Sequence, residues 1–217
     1  MKLWHLAVLL GSALAAVPVA AAQERDVFRS VSYPSHDLSA LPQWTDALAR
    51  MRAASAALRG DGTAPQCPGV TAAAWCAAID AIDTASPERQ LFEINRFVNT
   101  LVKSQTDDVP PPGTPWPSLD DALSGRGGRL AAALAKYVAL RDIGFPVEAL
   151  RIVIAEDTLR GTPTVLVLGH AGGQDLMLSS GSNSVRDTAS VHNLRPFYSF
   201  NETTLWIHVP QPQEISP

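Results

Sequence analysis

The sequence predicts an α+β fold in which helices come first and an antiparallel β-sheet follows. Between residues 41 and 141, apolar residues recur at the spacings of three and four that are typical of amphipathic helices. From residue 149 onward, short apolar runs alternate with turn sequences, a pattern that is typical of β-hairpins. Since a run of helices followed by a run of strands packs as two layers, we expect a helical layer lying on one sheet.

Residues 1–22 have the pattern of a secretory signal peptide. Lys2 supplies the positive charge, residues 3–19 form the apolar stretch, and three alanines provide a small-residue cleavage site. An uncleaved membrane anchor is the alternative, but the stretch is short and is interrupted by a glycine and a proline. Because the alanine-rich composition is typical of bacteria, we predict a periplasmic protein whose residues 23–217 form a single domain.

The charge of the chain argues against a nucleic-acid partner. Lysine and arginine number 17 against 21 acidic residues, which gives a formal net charge of −4, and no basic cluster stands out. Binding to phosphate backbones requires such a cluster. No apolar stretch after the signal peptide is long enough to span a bilayer. We therefore expect no nucleic acid, no membrane span after signal cleavage and no cofactor.

The two cysteines, Cys67 and Cys76, are close in sequence and would lie in an oxidising compartment. A disulfide between them would contribute about 2–3 kcal/mol by restricting the unfolded chain. The alternative is that one of them is a free nucleophilic thiol. Because neither follows a glycine turn or begins a helix in the way that activates a thiol, we predict the disulfide.

Three helices are predicted before the proline-rich part of the chain. The first two span residues 41–58 and 70–84, and each has a tryptophan on its apolar face. The third begins after Ser86, which can cap it, and has a proline in its first turn. Asn95 and Asn99 lie four residues apart on this helix. They either face solvent or form hydrogen bonds to a neighbouring loop.

A glycine-rich turn at residues 125–128 leads into the next predicted helix, residues 129–141. Before it, a loop with five prolines ends near Trp116, which either anchors the core or lines a groove. The start of a helix lowers the pKa of a thiol and suits a thiolate nucleophile. The residue at this place is Arg129, a cation that the same helix dipole disfavours by about 0.3–1 kcal/mol.

The last part of the chain is predicted to form strands. Two hairpins are expected, one turning at residues 171–174 and one at 201–203. The predicted strands span residues 149–155, 164–168, 175–178, 198–200 and 204–209.

These features occur in the order found in the bacterial transglutaminase-like cysteine peptidases, and the sequence resembles that family, which includes the LapG-like periplasmic proteases that cleave adhesins. The resemblance extends from about residue 41 to residue 208. It implies a papain- or transglutaminase-like core, in which an N-terminal helical part packs on an antiparallel sheet. It is carried by LPQW (41–44), QLFEINRFVN (90–99), WPSLDDAL (116–123), GRGG (125–128), LAKY (134–137), GFPVEALRIV (144–153), VLVL (165–168) and WIH (206–208).

The resemblance also implies that this chain is a degenerate member. The family's catalytic cysteine falls on Arg129, its histidine on Pro163 and its orienting aspartate on Ser179. The acidic neighbours that the family associates with calcium fall on Gly128 and Leu130, which offer no side-chain oxygen to a hard cation. Loss of a nucleophile alone can cost about 10⁶ in kcat. We therefore predict a pseudoenzyme with no catalytic residue at these positions and no metal.

Three functions follow as hypotheses. The first is a periplasmic module that binds and regulates a protein or peptide partner, either an adhesin segment or a periplasmic receptor domain, in the control of adhesins or biofilm. Its candidate binding residues are Trp116, Arg126, Arg129 and His170. The second is an accessory or structural subunit of an envelope secretion or polysaccharide assembly. The third is an active peptidase with a different residue set, such as His170 and Asp175 with a serine at position 124 or 179.

Arg129 itself has two interpretations. It is either a solvent-facing residue at the start of the helix or, with Arg126 and the backbone N–H groups of the turn, part of a site for a carboxylate or phosphate.

Overall fold

The computed structural model describes residues 27–59, 70–82, 85–102 and 113–211. The predicted signal peptide, Cys67 and most of the proline-rich loop lie outside these residues. Cleavage of the signal peptide, export to the periplasm and the disulfide therefore stay predictions. Cys76 is buried in a helix, with its sulfur 3.7 Å from the carbonyl oxygen of Leu58.

The described chain consists of helices followed by strands, as predicted, with one strand ahead of the helices. The helices are α1 (Pro42–Arg59), α2 (Val70–Ile82), α3 (Pro87–Leu101), α4 (Leu119–Leu123) and α5 (Gly128–Asp142). The strands are β1 (Ser30–Ser35), β2 (Leu150–Asp157), β3 (Thr162–Ala171), β4 (Gln174–Ser179), β5 (Ser182–Asp187), β6 (Leu194–Phe200) and β7 (Leu205–Pro210). No helix in this part of the chain is long and apolar enough to cross a membrane.

The strands form one antiparallel sheet in the order β1-β7-β6-β2-β3-β4-β5. Five of them coincide with the strands expected from sequence. The two edge strands, β1 and β5, were missed because their residues, SVSYPS and SNSVRD, are mostly polar. An edge strand needs little apolar surface, since only one of its sides is hydrogen-bonded and its faces are largely exposed.

The two faces of the sheet are covered differently. The inner face carries apolar side chains such as Ile152, Val167 and Phe200, which pack against all of the longer helices. The outer face carries a smaller cluster that includes Val153 and Leu168. The outer cluster is covered by the chain around Val27 and Val191, so it forms a second, thinner core.

Helix α5 lies at the centre of the inner layer. Every residue from Leu130 to Leu140 is buried, which explains why alanines make up so much of this helix. Small side chains let α1, α3 and the sheet approach it closely. The predicted start at Arg129 was one residue late, because Gly128 already belongs to the first turn.

Helix α3 is held at both ends by polar contacts. The hydroxyl of Ser86 accepts a hydrogen bond from the Arg89 backbone, which confirms the predicted cap. The side-chain amide of Asn95 donates to the carbonyl of Ser182 at 2.9 Å, and that of Asn99 donates to the carbonyls of Ser179 and Ser182. Of the two alternatives for these asparagines, the structure shows the hydrogen-bonded one.

Candidate functional site

A glycine turn fixes the start of α5. Gly127 precedes the helix with a φ of +82°, in the left-handed region that favours glycine. A Cβ at this position would lie 2.8 Å from side-chain carbons of Pro117 and Ala131, so no larger residue fits. The segment that leads into this turn is also fixed, because Ser118 and Asp121 form a capping box at the start of α4.

Two arginines lie at this turn in different surroundings. Arg126 is exposed and pairs with Asp121 at 3.2 Å. Hydrogen bonds from Ser118, assisted by Arg126, hold the pKa of Asp121 below its usual value. Arg129 is half-buried, and its Nη1 donates to the hydroxyl of Thr164 on β3 at 3.4 Å. The solvent-facing interpretation therefore describes Arg126 better than Arg129, which is turned toward the sheet.

The three positions to which the resemblance assigns the catalytic residues converge at one end of the sheet. Arg129 contacts Thr164, and Pro163 is the residue just before it at the exposed start of β3. Ser179 lies at the end of β4, the strand next to β3, where it is paired with Leu166. Residues 129, 163 and 179 are thus brought to the same region, although 50 positions separate the first from the last in sequence.

The side chains at these positions do not provide the chemistry of a cysteine peptidase. A guanidinium cannot act as the nucleophile, and proline has no side-chain group that could act as the base. A serine hydroxyl lacks the negative charge of the aspartate carboxylate. Gly128 has no side chain and that of Leu130 is fully buried and apolar, so these two residues offer no side-chain oxygen to calcium. In the described ranges, no group of three or more His, Cys, Asp or Glu side chains could hold a metal ion.

Trp116 is a core residue. The residue is 8% exposed, and its ring packs against those of Trp44 and Phe200, with ring centroids 6.5 and 5.5 Å away. Of the two alternatives for Trp116, the structure shows the core one, and its place among the binding candidates stays a prediction. Its backbone carbonyl accepts a hydrogen bond from Arg50, which ties the end of the proline-rich loop to α1.

His170 lies at the other end of β3. Its Nδ1 is 2.8 Å from Oδ1 of Asp175, directly across the β3–β4 hairpin. A serine does not complete the set. Ser179 is paired with Leu166, four residues away from His170 along β3, and Ser124 follows α4 near the start of α5. The Ser–His–Asp arrangement is therefore not formed.

The structure also contains a serine–histidine contact that sequence reasoning missed. His208 places Nε2 at 2.8 Å from the hydroxyl of Ser199, and its Nδ1 lies near the hydroxyls of Ser30 and Ser32. Ser199 is fully buried and His208 is 6% exposed, so no substrate reaches them. Burial, with Arg151 nearby, lowers the pKa of His208 to about 4. This cluster joins β1 to β7 and β6, and its role is structural.

A second feature not found from the sequence is the buried cation in α5. Lys136 is 1% exposed and forms no hydrogen bond or ion pair with any described residue. Burial lowers its pKa to about 7. Lys136 lies two helical turns after Arg129, on the same face of α5. The sequence pattern does not reveal that this lysine is buried, because a segment such as LAKY is equally compatible with a lysine on the solvent-exposed face of a helix.

Comparisons with known proteins give similarity at the level of structure. No protein-family model and no curated protein matches the sequence. A structure of LapG from Legionella pneumophila matches with a TM-score of 0.55 at 23% sequence identity, over 74% of this chain and 87% of that chain. The calcium-bound form of the same protein matches with a TM-score of 0.55 at 22% identity, over 79% of this chain and 93% of that one.

The similarity spans most of the length of the Legionella protein. At 22–23% identity it is evidence for the fold and not for a shared activity. The expected architecture, N-terminal helices packed on an antiparallel sheet, is confirmed, and the chain has a LapG-like α+β fold.

Proposed function

We propose that this protein is a catalytically inactive relative of the transglutaminase-like cysteine peptidases, which is exported to the periplasm and binds a protein or peptide partner there. The observation that carries the proposal is Arg129, a half-buried guanidinium in contact with Thr164 at the position where the resemblance expects a thiolate. The fold is kept while the nucleophile, base and orienting group are replaced. A function other than hydrolysis is then required to explain why the scaffold persists.

The chemistry of the α5 start favours an acidic segment as the partner. Arg126 is exposed and Arg129 is half-buried, and both lie beside the backbone N–H groups at the start of a long helix. Arginine binds carboxylates through two parallel hydrogen bonds, and the helix dipole favours the same charge. A flexible adhesin segment or a periplasmic receptor domain with an acidic loop matches this surface.

The first experiment tests inactivity. The purified chain is incubated with an adhesin fragment, and an active LapG with the same fragment is the positive control. We expect no cleavage product above the buffer background after times at which the control has gone to completion. Cleavage that is lost on His170→Ala would replace the proposal with an active peptidase that uses a new residue set.

The second experiment tests binding. Calorimetric titration of the chain with an adhesin segment and with a periplasmic receptor domain should give saturable binding to one of them. Arg129→Gln should weaken that binding by about tenfold or more, the effect expected for a lost charge-assisted hydrogen bond. Arg186→Gln is the matched control, since Arg186 is exposed on β5 at the edge of the sheet. Absence of binding to either partner would discard the proposal.

An apolar strip favours the second candidate, an accessory subunit of an envelope assembly. Val31 and Tyr33 on β1 are paired with Val209 and Ile207 on β7, and these four side chains are 36–58% exposed. A contiguous exposed apolar patch marks an interaction surface. If Tyr33→Asp with Ile207→Asp releases the protein from a secretion or polysaccharide complex while Arg129→Gln does not, the accessory function is favoured over the binding module.

A further inference from the structure

A large cavity lies on the outer face of the sheet, at the end opposite to the α5 start. Its volume is about 960 Å³, within the range of small-molecule sites. Arg151 of β2, His170 of β3 and Trp206 of β7 line it, together with the turns before β2 and between β6 and β7. We call it the outer pocket. His170 lies six residues along β3 from Thr164, the residue that Arg129 contacts, so the pocket is at the other end of the strand and its role is independent of the proposed function.

The charged group of the outer pocket is a guanidinium held in place by an aromatic ring. The Cζ atom of Arg151 lies 4.0 Å from the centroid of the Trp206 ring, at a distance typical of a cation–π contact. Arg151 is 7% exposed and Trp206 is 8% exposed. Stacking restricts the guanidinium to one plane, and the N–H groups along the edge of a guanidinium suit planar recognition of an anion.

The wall of the outer pocket is fixed by one asparagine. The side-chain amide of Asn201 donates to the carbonyls of Val147 and Leu150, which join the turn after β6 to the start of β2. Its Oδ1 accepts hydrogen bonds from the backbones of Thr203 and Thr204. A ligand therefore meets a wall whose polar groups are already held, and little conformational entropy is lost on binding.

The two histidines of the pocket are oriented by their neighbours. The Nδ1 of His170 lies 2.8 Å from Asp175, and that of His36 lies 3.2 Å from the hydroxyl of Thr204 and 3.3 Å from the carbonyl of Thr203. Because a carboxylate and a carbonyl only accept hydrogen bonds, Nδ1 carries the proton in both rings. Nε2 is then the unprotonated nitrogen of each neutral ring and can accept a hydrogen bond from a ligand.

The acidic groups of the lining, Asp175 and Glu148, lie closer to solvent than Arg151 does. The carboxylate of Asp175 is engaged by His170, and Glu148 is exposed on the rim, on the short turn before β2. The least exposed charged group of the lining is therefore the guanidinium of Arg151.

We propose that the outer pocket binds a small organic carboxylate, with the carboxylate on Arg151, the apolar part of the ligand beside Trp206, and donor groups of the ligand near His170. A peptide with a free C-terminus and a uronic-acid oligosaccharide both have this chemistry.

The test uses two pairs of probes that differ only at the carboxylate. Acetyl-trialanine acid is compared with its amide, and trigalacturonic acid with its methyl ester, by calorimetric titration of the full chain. We expect at least one acid to bind with a Kd near or below about 1 mM, and its neutral form to bind about tenfold more weakly or worse. Binding by the peptide acid alone or by the uronate alone identifies the source of the ligand.

Variants then assign the contact. Arg151→Gln should weaken binding of the acid by about tenfold or more, and Arg186→Gln should leave it unchanged. If Arg151→Gln does not fold, as judged by circular dichroism, two other measurements test the proposal. These are binding of the acid by His170→Gln, and the comparison of the acid with its neutral form on the unchanged chain. Equal binding of acid and neutral forms, binding by no probe, or full binding by a folded Arg151→Gln variant would overturn the proposal.

Discussion

Replacing the buried lysine of α5 is expected to stabilise the protein, whereas most substitutions in a protein core destabilise it. Lys136 is 1% exposed and has no hydrogen bond or ion pair with the described residues, so the folded protein bears the cost of removing its charge from water. Replacing it with methionine keeps a long, unbranched side chain and removes that cost. We expect Lys136→Met to be more stable than the wild type at neutral pH.

The magnitude follows from the pKa. Burial lowers the pKa of Lys136 from 10.5 to about 7. At about 1.4 kcal/mol for each pH unit, this corresponds to an upper value of about 5 kcal/mol. Below pH 7 the lysine is charged in both states and the folded protein carries the full cost. Between pH 7 and 10.5 the unfolded chain binds more protons, so the stability of the wild type rises with pH.

The assay is urea unfolding followed by circular dichroism at pH 6.5, 8 and 9.5. Lys136→Met should exceed the wild type by about 2–5 kcal/mol at pH 6.5, and this advantage should shrink by about 1.4 kcal/mol for each pH unit above 7. Arg186→Met, at an exposed arginine on β5, is the control and should show no such trend. A methionine variant that is less stable than the wild type, or an advantage that does not change with pH, would refute the reasoning.

Three further predictions concern the sheet. The folded pKa of His208, about 4, lies below its ordinary value of 6.5, so its contribution to stability is complete above pH 6.5 and is lost as the pH falls toward 4. The wild type should lose about 3 kcal/mol more than His208→Gln between pH 7 and 4 in urea titrations. A Cβ on Gly169 would lie 2.3 Å from a methyl carbon of Leu91, so Gly169→Ala should lower the free energy of unfolding by about 1–3 kcal/mol in thermal unfolding. The double variant with Leu91→Ala should lose less stability than the sum of the two single losses. Asn201→Ala should cost about 2–4 kcal/mol, measured in the same way, because it removes the amide that donates to two carbonyls and the oxygen that accepts from two backbone N–H groups.

Much of the fold was predictable because its signals are local. The start of α3 depends on Ser86 and the proline that follows it, and both act within one turn of the helix. The hairpin between β3 and β4 depends on two adjacent glycines, Gly172 and Gly173, which both have positive φ. Such residues determine their conformation with few distant contacts, so a single sequence is sufficient to find them.

The edge strands were not predictable in the same way. In β1 the buried residues are Ser30 and Ser32, which ordinarily indicate a loop. They are buried because both hydroxyls lie near His208, more than 170 residues later in the chain. Pairing with β7, and not the preference of its own residues, makes this segment a strand.

By itself the sequence determined the order of helices and strands and the glycine turn before α5, and its resemblance to the peptidase family predicts that the catalytic residues are replaced at positions 129, 163 and 179. Only the tertiary structure decided which residues share an environment. It put Trp116 in the core, turned Arg129 toward Thr164, and brought Arg151, His170 and Trp206 together in a pocket at the other end of the sheet. The physical reason is range. Helix caps and turns are stabilised by neighbours a few residues away, whereas a pocket is formed by strands that meet only after the whole sheet has paired.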